Sequence, residues 1–317
     1  MCSSNLTWEQ IEFQHEPLYD ELVEPLGKKT KYWIEIGKEP HKTKWLVKLV
    51  RSDELGTRGE DWAEWVVRQL SLKLGVPTAE VQPAIVINQG GIRQRAIMSR
   101  NLAPIGLSLM HGNELISIYD DEYDEDKNRH NPRYTVETIK AALEFQSVQV
   151  PPGLDPSLKT AFDVFTGYLV LDALVSGRDR HHRNWGVLVP PGAEARTMIL
   201  APSYDHGNAF GNQEPEAKII QMITDGRIDR WVLKGKSQHF VGKPSLVEVA
   251  TKALSFSSPS AAKFWMDAVE RLSENDIETV TSVVPCGYMT PERVKFIVSL
   301  VKLNRRRLLN AYQANLP

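Results

Sequence analysis

An acid, an amide and a second acid follow one another in chain order at Asp179, Asn184 and Asp205. A long apolar segment runs directly into Asp179, and two short apolar segments, 185–189 and 197–200, separate Asn184 from Asp205 around a Pro-Pro-Gly turn. Short apolar segments on either side of such a turn predict a β-hairpin. The fold must therefore bring the end of a helix and the end of a hairpin close together, so that the three oxygen-bearing side chains converge.

This chain order is the one that a phosphoryl-transfer site requires. The Asp179 carboxylate would act as catalytic base for an attacking hydroxyl, and Asn184 and Asp205 would bind Mg²⁺ at the phosphates of ATP. Asn184 is the fifth residue after Asp179, as the metal-binding amide is after the base in the catalytic loop of protein kinases. Mg²⁺ takes few oxygen ligands from a protein, which suits one amide and one carboxylate. The alternative is a solvated basic loop at 178–183 and an ordinary turn acid at 205.

The composition is that of an ordinary folded protein. Its 317 residues suffice for one large or two medium domains, and 42% hydrophobic residues can supply a sizeable core. The formal net charge of −2 argues against a dominant role in nucleic-acid or membrane-surface binding. Cys2 and Cys286 support neither a disulfide scaffold nor a zinc cluster. No apolar run reaches the roughly 18 residues that span a bilayer, and the first residues lack the form of a secretion signal, so we expect a cytoplasmic protein.

Residues 1–100 are predicted to form a small, strand-rich lobe with one helix. The strand segments are short and rich in aromatic and β-branched residues, and the helix has apolar residues at helical spacing with Gly75 just after its end. The predicted elements are a hairpin of strands 31–36 and 44–50, a helix at 60–74, and strands 81–87 and 95–98. Strands, one helix and further strands indicate an α+β lobe.

Residues 101–317 are predicted to form a larger, mainly helical lobe. The acidic segment 120–126 is interpreted as a solvated loop, with contact to a substrate or partner as the alternative. Asp155 and Pro156 predict the start of a long apolar helix that ends near Val175, because a capping side chain followed by proline is a common helix start. Further helices are predicted at 136–145, 260–273 and from 290 to about 312. The whole chain is therefore α+β with two lobes.

Two motifs resemble those of the HipA-like kinases, whose catalytic loop reads Asp-Arg-His-x-x-Asn and whose later metal-binding Asp ends a Leu-Ala-Pro-x-Tyr-Asp motif. The chain carries them as Asp179-Arg180-His181 with Asn184, and as Leu200-Ala201-Pro202 with Tyr204-Asp205. The similarity continues at 59–64, 74–77, 98–100 and 111–115, and it covers roughly residues 25 to 240. Any one of these pieces is weak, whereas their combination is specific.

The resemblance implies a bilobed protein-kinase-like fold, use of ATP with Mg²⁺, and phosphorylation of serine or threonine on a protein substrate. Several members of the family are the toxin half of a toxin–antitoxin pair, which implies a helix-turn-helix antitoxin as partner. The best-known members carry an additional amino-terminal domain of about a hundred residues, whereas here the kinase-like sequence begins almost at once. Direct binding of nucleic acid by this chain is not expected.

The resemblance also implies roles for residues of the small lobe. Lys48 would contact the ATP phosphates and Glu64 would position Lys48, with Glu60 as the rival partner. The nucleotide loop would comprise Gly27, Lys28, Lys29, Thr30 and Lys31, with Thr30 as a candidate autophosphorylation position; a plain basic turn is the alternative. The hinge that meets the adenine would comprise Met98, Ser99 and Arg100, and the alternative is a simple interlobe strand.

In the catalytic loop, His181 is predicted to contact the transferring phosphoryl group, while His182 and Arg183 are expected to face solvent or substrate. Tyr204 precedes the metal-binding Asp205 and is included in the cofactor site. Two other interpretations stay open. Phosphoinositide kinases share the Asp-Arg-His-x-x-Asn loop, and a pseudokinase or binding module would keep the fold without the chemistry.

Overall fold

The computed structural model of the chain describes residues 6–14, 31–38, 41–54, 56–192 and 198–314. Its amino-terminal part is a five-stranded sheet in the spatial order β1-β6-β7-β3-β2, with a separate two-stranded β4-β5 ribbon beside it. Only the β1-β6 pair is parallel; the other three pairs are antiparallel. The strands are β1 (Ile11–Gln14), β2 (Lys31–Ile36), β3 (Thr43–Leu49), β4 (Ser52–Asp53), β5 (Gly56–Thr57), β6 (Val81–Ile87) and β7 (Arg93–Arg100).

One face of this sheet forms a small core of its own. Trp45 and Val47 lie two positions apart in β3, so their side chains leave the strand on the same side, and they pack with Tyr32 of β2. Lys48 follows Val47 directly, and its side chain therefore leaves the opposite face. The alternation of the strand thus directs Lys48 away from the small core and toward the helix on the other side of the sheet.

Helix α1 (Glu60–Leu74) has the predicted bounds. It ends at Gly75, whose φ of 77° is left-handed, and the amide of Val76 then donates to the carbonyl of Ser71 at 2.9 Å. Glycine adopts this conformation without a Cβ penalty, which makes the sequence a strong stop signal. The apolar side of α1, including Trp62 and Trp65, packs into the larger core formed with the carboxyl-terminal helices.

The carboxyl-terminal part combines a small sheet with helices. The sheet has the order β10-β9-β8, with β8 at Ser108–His111, β9 at Gly186–Val189 and β10 at Ile199–Leu200. Strands β9 and β10 pair antiparallel, as the hairpin prediction required. The helices are α2 (Gly112–Tyr119), α3 (Val136–Phe145), α4 (Ala161–Val175), α5 (Glu216–Thr224), α6 (Ile228–Leu233), α7 (Leu246–Phe256), α8 (Pro259–Arg271), α9 (Glu274–Ser282) and α10 (Pro291–Ala314).

Helix α4 lies at the centre of the larger core, and every one of its residues is buried. The predicted start at Asp155 and Pro156 is wrong. The Asp155 carboxylate instead accepts the amide of Ser157 in a turn, and the helix begins after Thr160. Thr160 and Asp163 form a reciprocal capping box, in which each side chain accepts the other's backbone N–H, and this satisfies two exposed donors at once.

The other helix predictions differ from the structure mainly at their ends. Helix α3 has the predicted bounds, and α10 begins at Pro291 as expected. The predicted helix 260–273 ends two residues earlier, because the Ser273 side chain caps the following helix α9. Across the described part of the chain, none of the helices combines the length and the apolar character needed to cross a membrane.

Candidate active site

Lys48 is the centre of a buried charge cluster. Its Nζ lies 3.0 Å from Oε1 of Glu64 on α1 and 2.9 Å from Oδ1 of Asp205, which follows β10. Burial by itself lowers the pKa of Lys48, but the carboxylates of Asp205 and Glu64 outweigh it and raise the pKa above its ordinary value. Lys48 is therefore a permanent cation at a point where the sheet, α1 and the segment after β10 meet.

The rival partner of Lys48 has another role. Oε1 of Glu60 accepts Nε of Arg51 at 2.7 Å, and its Oε2 accepts the backbone amide of Arg51 at 3.0 Å. Arg51 follows β3 and Glu60 opens α1, so this pair joins the end of the strand to the start of the helix. Glu64, one helical turn later, is the acid that reaches Lys48.

The segment that carries Asp205 is held in an unusual backbone conformation close to α1. Asp205 has a φ of 60°, in the left-handed region that few residues other than glycine adopt and that recurs at functional sites. A Cβ built on Gly207 would lie 3.2 Å from Oε1 of Glu64. A side chain there would crowd the acid that pairs with Lys48, so the close approach favours glycine.

The loop after α4 presents Asp179 and Asn184 side by side. The backbone carbonyl of Asp179 accepts the amide of His181 at 2.9 Å and Nδ2 of Asn184 at 2.8 Å. Because the nitrogen of the Asn184 amide is committed to this bond, the amide oxygen is the atom left for a ligand. No hydrogen bond reaches that oxygen from the described residues.

A buried ion pair fixes this loop to the helix that precedes it. Arg180 binds Asp172 of α4 through Nε at 2.8 Å and Nη2 at 2.9 Å, and its Nη1 donates to the backbone carbonyl of Asn184 at 2.7 Å. The guanidinium therefore spans the loop from one end to the other. The planar fork of arginine matches a carboxylate in this two-bond geometry, which gives direction as well as energy.

The structure brings the three oxygen-bearing side chains together. Asp179, Asn184 and Asp205 line one pocket, and Asn208 also lies on its wall. The pocket offers carboxylate and amide oxygens, which are the ligands that Mg²⁺ prefers, and Mg²⁺ commonly takes only one or two ligands from a protein. Asn184 and Asp205 therefore fit a magnesium site.

His181 lies half-buried beside this pocket. Its Nδ1 accepts the amide of Arg183 at 3.1 Å, so the proton of the neutral ring is at Nε2. Burial lowers the pKa of His181 to about 4, although the neighbouring Asp179 acts in the opposite direction. At neutral pH the residue is therefore an uncharged N–H donor next to Asp179, and contact with a phosphoryl group stays a prediction.

His182 does not face solvent or substrate, and that prediction is wrong. Its side chain is buried, its Nδ1 lies 2.7 Å from the hydroxyl of Tyr123, and its Nε2 lies 2.6 Å from Oδ1 of Asn128. The acidic segment is therefore not only a solvated loop, because Tyr123 within it and Asn128 just after it hold the loop 179–184 from the side. Burial lowers the pKa of His182 to about 3.

This histidine should make the protein less stable in acid. A histidine in an unfolded chain takes up a proton near pH 6.5. Below that pH the unfolded chain therefore binds a proton that His182 in the native state does not bind, because its pKa is lowered. We expect His182 to reduce the free energy of unfolding by up to about 1.4 kcal/mol for each pH unit below 6.5. Urea titrations between pH 7.5 and 5 should show a flatter pH dependence for His182→Gln. The exposed His41 is the control, and an identical slope for His182→Gln and the wild type would contradict the expectation.

Tyr204 connects two parts of the site. Its hydroxyl donates to the backbone carbonyl of Arg183 at 3.0 Å and lies 2.8 Å from Nδ1 of His111, at the start of α2. Burial raises the pKa of Tyr204, so it stays a neutral phenol. The side chain thus ties the segment before Asp205 to the end of the loop 179–184, and a contact with the nucleotide stays a prediction.

The predicted hinge lies inside the sheet. Met98 and Ser99 belong to β7, which pairs with β3 on one side and β6 on the other, so their backbone groups are engaged in the sheet. Arg100 is exposed and pairs with Glu80 at 2.9 Å. The structure favours the alternative of an interlobe strand for these residues.

The predicted nucleotide loop lies mostly outside the described residues, which include neither Gly27, Lys28, Lys29 nor Thr30. Lys31 opens β2 directly opposite Lys48 of β3. Opposite residues of an antiparallel pair share one face of the sheet, so Lys31 adds positive charge on the face that carries Lys48.

One buried side chain at the site has no signal in the sequence. His239 lies in the connection between α6 and α7, and its Nε2 is 2.7 Å from Oδ1 of Asp179. Sixty residues separate the two positions, and no motif joins them. Asp172 was likewise not indicated, because an acid within a continuous apolar helix has no distinctive spacing.

Comparison with known proteins identifies the fold. No protein-family model matches the chain, and no curated protein matches it. The crystal structure of a proinflammatory kinase of Helicobacter pylori, CtkA, is similar with a TM-score of 0.63 and 15% identity, over 89% of this chain and 93% of that one. HipA of Shewanella oneidensis MR-1, solved with HipB and its operator DNA, is similar with a TM-score of 0.48 and 9% identity, over 93% of this chain and 68% of that one.

The similarity to the Helicobacter pylori kinase shows that the chain has a kinase-like fold. This confirms the predicted fold class, a mixed α+β architecture with a strand-rich sheet followed by a mainly helical part. It is also the fold that the resemblance to the HipA-like kinases implies.

Proposed function

We propose that the protein is a HipA-like kinase that transfers the terminal phosphoryl group of ATP, with Mg²⁺, to a serine or threonine of a protein substrate. The observation that carries the proposal is the convergence of three segments of a kinase-like fold: Asp179 and Asn184 of one loop and Asp205 after β10 line one pocket, and Lys48 of β3 binds Asp205. Oxygen ligands, a fixed cation and a partly exposed carboxylate are the parts that phosphoryl transfer requires.

Each side chain of the site has its own role in the proposed reaction. Lys48, held by Glu64, would bind phosphate oxygens of the nucleotide, and Asn184 and Asp205 would hold Mg²⁺, which would supply charge neutralisation when bound. Asp179 orients the substrate hydroxyl and accepts its proton as the oxygen bonds to the γ-phosphorus. The bond from that phosphorus to the bridging oxygen breaks, and ADP leaves with the electron pair. The protein thus acts by positioning and by charge stabilisation.

Purified protein incubated with labelled ATP and Mg²⁺ tests the proposal. We expect label on the protein itself or on a protein of a cell lysate, and loss of the signal on chelation of the metal. Asp205→Asn should reduce the transfer rate by about 100-fold or more, because metal-borne charge stabilisation is worth several kcal/mol. Asp229→Asn, the same chemical change at an exposed position, should leave the rate unchanged.

The outcomes separate the alternatives. Label on a phosphoinositide instead of a protein would identify a lipid kinase. Binding of nucleotide with no transfer to any acceptor would identify a pseudokinase or binding module. Either result would overturn the proposal. A role as the toxin of a toxin–antitoxin pair, with a helix-turn-helix partner, rests on the sequence resemblance and stays a prediction.

A further inference from the structure

His239 places its ring against the carboxylate that the proposed function assigns as catalytic base. Its Nε2 lies 2.7 Å from Oδ1 of Asp179, and its Nδ1 lies 2.8 Å from the backbone carbonyl of Asn128. The side chain of His239 is 3% exposed, whereas that of Asp179 is 38% exposed. His239 therefore contacts Asp179 from the protein interior, and part of the Asp179 side chain stays exposed.

The two contacts determine where a proton must lie. A backbone carbonyl only accepts hydrogen bonds, so Nδ1 of His239 carries a proton. If Nε2 carried none and Asp179 were ionised, two lone pairs would face each other at 2.7 Å. The ionised form of Asp179 that accepts a proton from a substrate thus needs His239 to donate from both ring nitrogens. A charge-assisted hydrogen bond of this kind is short and directional.

The bond selects one orientation of the Asp179 carboxylate. Oδ1 is taken by His239, while Oδ2 receives no hydrogen bond from the described residues, and the Asp179 side chain as a whole is 38% exposed. An incoming hydroxyl therefore meets Oδ2. Without the histidine, the carboxylate of an exposed aspartate rotates among several rotamers, and only a fraction of them offers an oxygen to the hydroxyl.

The anchor of His239 is itself built into the fold. The amides of His239 and Phe240 both approach Oγ of Ser237, and the amide of Gln238 donates to the carbonyl of Arg178, immediately before Asp179. On its other side the ring rests on the carbonyl of Asn128. The connection between α6 and α7 and the segment that follows α2 thus hold the ring together.

We propose that His239 is a positioning residue for phosphoryl transfer, which holds Oδ1 of Asp179 so that Oδ2 accepts the substrate hydroxyl. The inference rests on the proposed kinase activity. It also gives the segment 120–131 a role, because Asn128 supplies the carbonyl that orients His239 and the side chain that binds His182. The residues that directly follow the acidic segment 120–126 are thus part of the support of the active site.

The inference predicts a selective loss of turnover. His239→Ala should lower kcat by about 10- to 100-fold, the size of effect seen when a side chain that orients a functional group is removed. The KM for ATP and the dissociation constant of a fluorescent ATP analogue should change by less than about twofold, because His239 contacts none of Lys48, Asn184 and Asp205. His239→Gln should recover part of the lost kcat, since its amide can donate to Asp179.

A double mutant distinguishes positioning from a general loss of structure. In an Asp179→Ala background, His239→Ala should cause no further decrease of the residual rate, because the group that it positions is gone. His41→Ala, at an exposed histidine before β3, is the matched control and should retain full kcat. Thermal melts of every variant report whether the fold is intact.

Three results would overturn the inference in a wild type that shows transfer: an unchanged kcat in His239→Ala, a matching loss of nucleotide affinity, or a further decrease in the Asp179→Ala background. A wild type that binds ATP and transfers nothing would instead overturn the proposed function, so the two failures are distinguishable.

Discussion

Replacing Asp179 by asparagine should reduce the rate of phosphoryl transfer by about 10²- to 10⁴-fold, the usual contribution of a general base. Asparagine keeps the shape of the side chain, and its oxygen can still accept the hydrogen bond from His239. It cannot accept a proton from the substrate, so the loss reports the proton transfer. The binding of ATP should be unchanged, because Lys48, Asn184 and Asp205 stay in place.

Single-turnover transfer and equilibrium nucleotide binding, measured on the same preparation, check this expectation. Asp267→Asn is the control, since it makes the same chemical change in an exposed pair with Lys263 on α8. An Asp179→Asn protein that transfers phosphate within about threefold of the wild-type rate would show that this carboxylate is not the base. A loss of ATP affinity equal to the loss of rate would show that it binds nucleotide instead.

The largest expected effect on stability comes from the ion pair of Arg180 and Asp172 beneath the loop 179–184. Asp172→Ala should lower the free energy of unfolding by about 3–5 kcal/mol, because it leaves the Arg180 guanidinium buried without its carboxylate. Because both charges lose water on burial, an intact buried pair contributes only modestly to the free energy of unfolding. Removal of one partner leaves the other charge buried without compensation, which costs far more. Arg180 also spans the loop to Asn184, so activity should be lost even below the unfolding temperature.

Chemical denaturation with urea measures this effect. The matched control is Asp267→Ala, which breaks an exposed pair four residues apart on a helix and should cost about 0.3–0.5 kcal/mol. If both variants lost the same small amount, Arg180 would have found another partner or solvent, and the anchoring role of the pair would be refuted. The difference between the two values isolates the effect of burial, since both pairs join a cation to an aspartate.

Local patterns in the sequence predicted much of the small sheet and of α1. Glu60–Leu74 is a helix with the predicted bounds because its apolar spacing and the glycine after it act over a few residues. The predicted start of α4 was wrong because local signals did not decide it. Two helix-start signals lie five residues apart, at Asp155 and Thr160, and the helix begins at the second, where Asp163 completes the capping box and also accepts hydrogen bonds from the distant Ser258.

The predicted hinge shows the same limit. Residues 98–100 carry a recognisable motif, but a motif does not state which strands lie on either side of it. The sheet order places β7 between β3 and β6. The backbone groups that were predicted to contact the nucleotide are therefore paired with the neighbouring strands. The pairing of strands that are distant in sequence decides whether these backbone groups can bind a ligand.

The sequence by itself determined the chain order of Asp179, Asn184 and Asp205 and the fold class, because spacing and periodicity are properties of the chain. Tertiary structure decided between Glu64, which the resemblance favoured, and its rival Glu60, and it alone decided which acid anchors Arg180 and which histidine holds the proposed base. Glu64 and Glu60 differ by one helical turn, and His239 is far from Asp179 along the chain. Only the packing of α1, α4 and the loops against one another fixes such contacts, because hydrogen bonds at 2.7 to 3.0 Å depend on the three-dimensional path of the backbone.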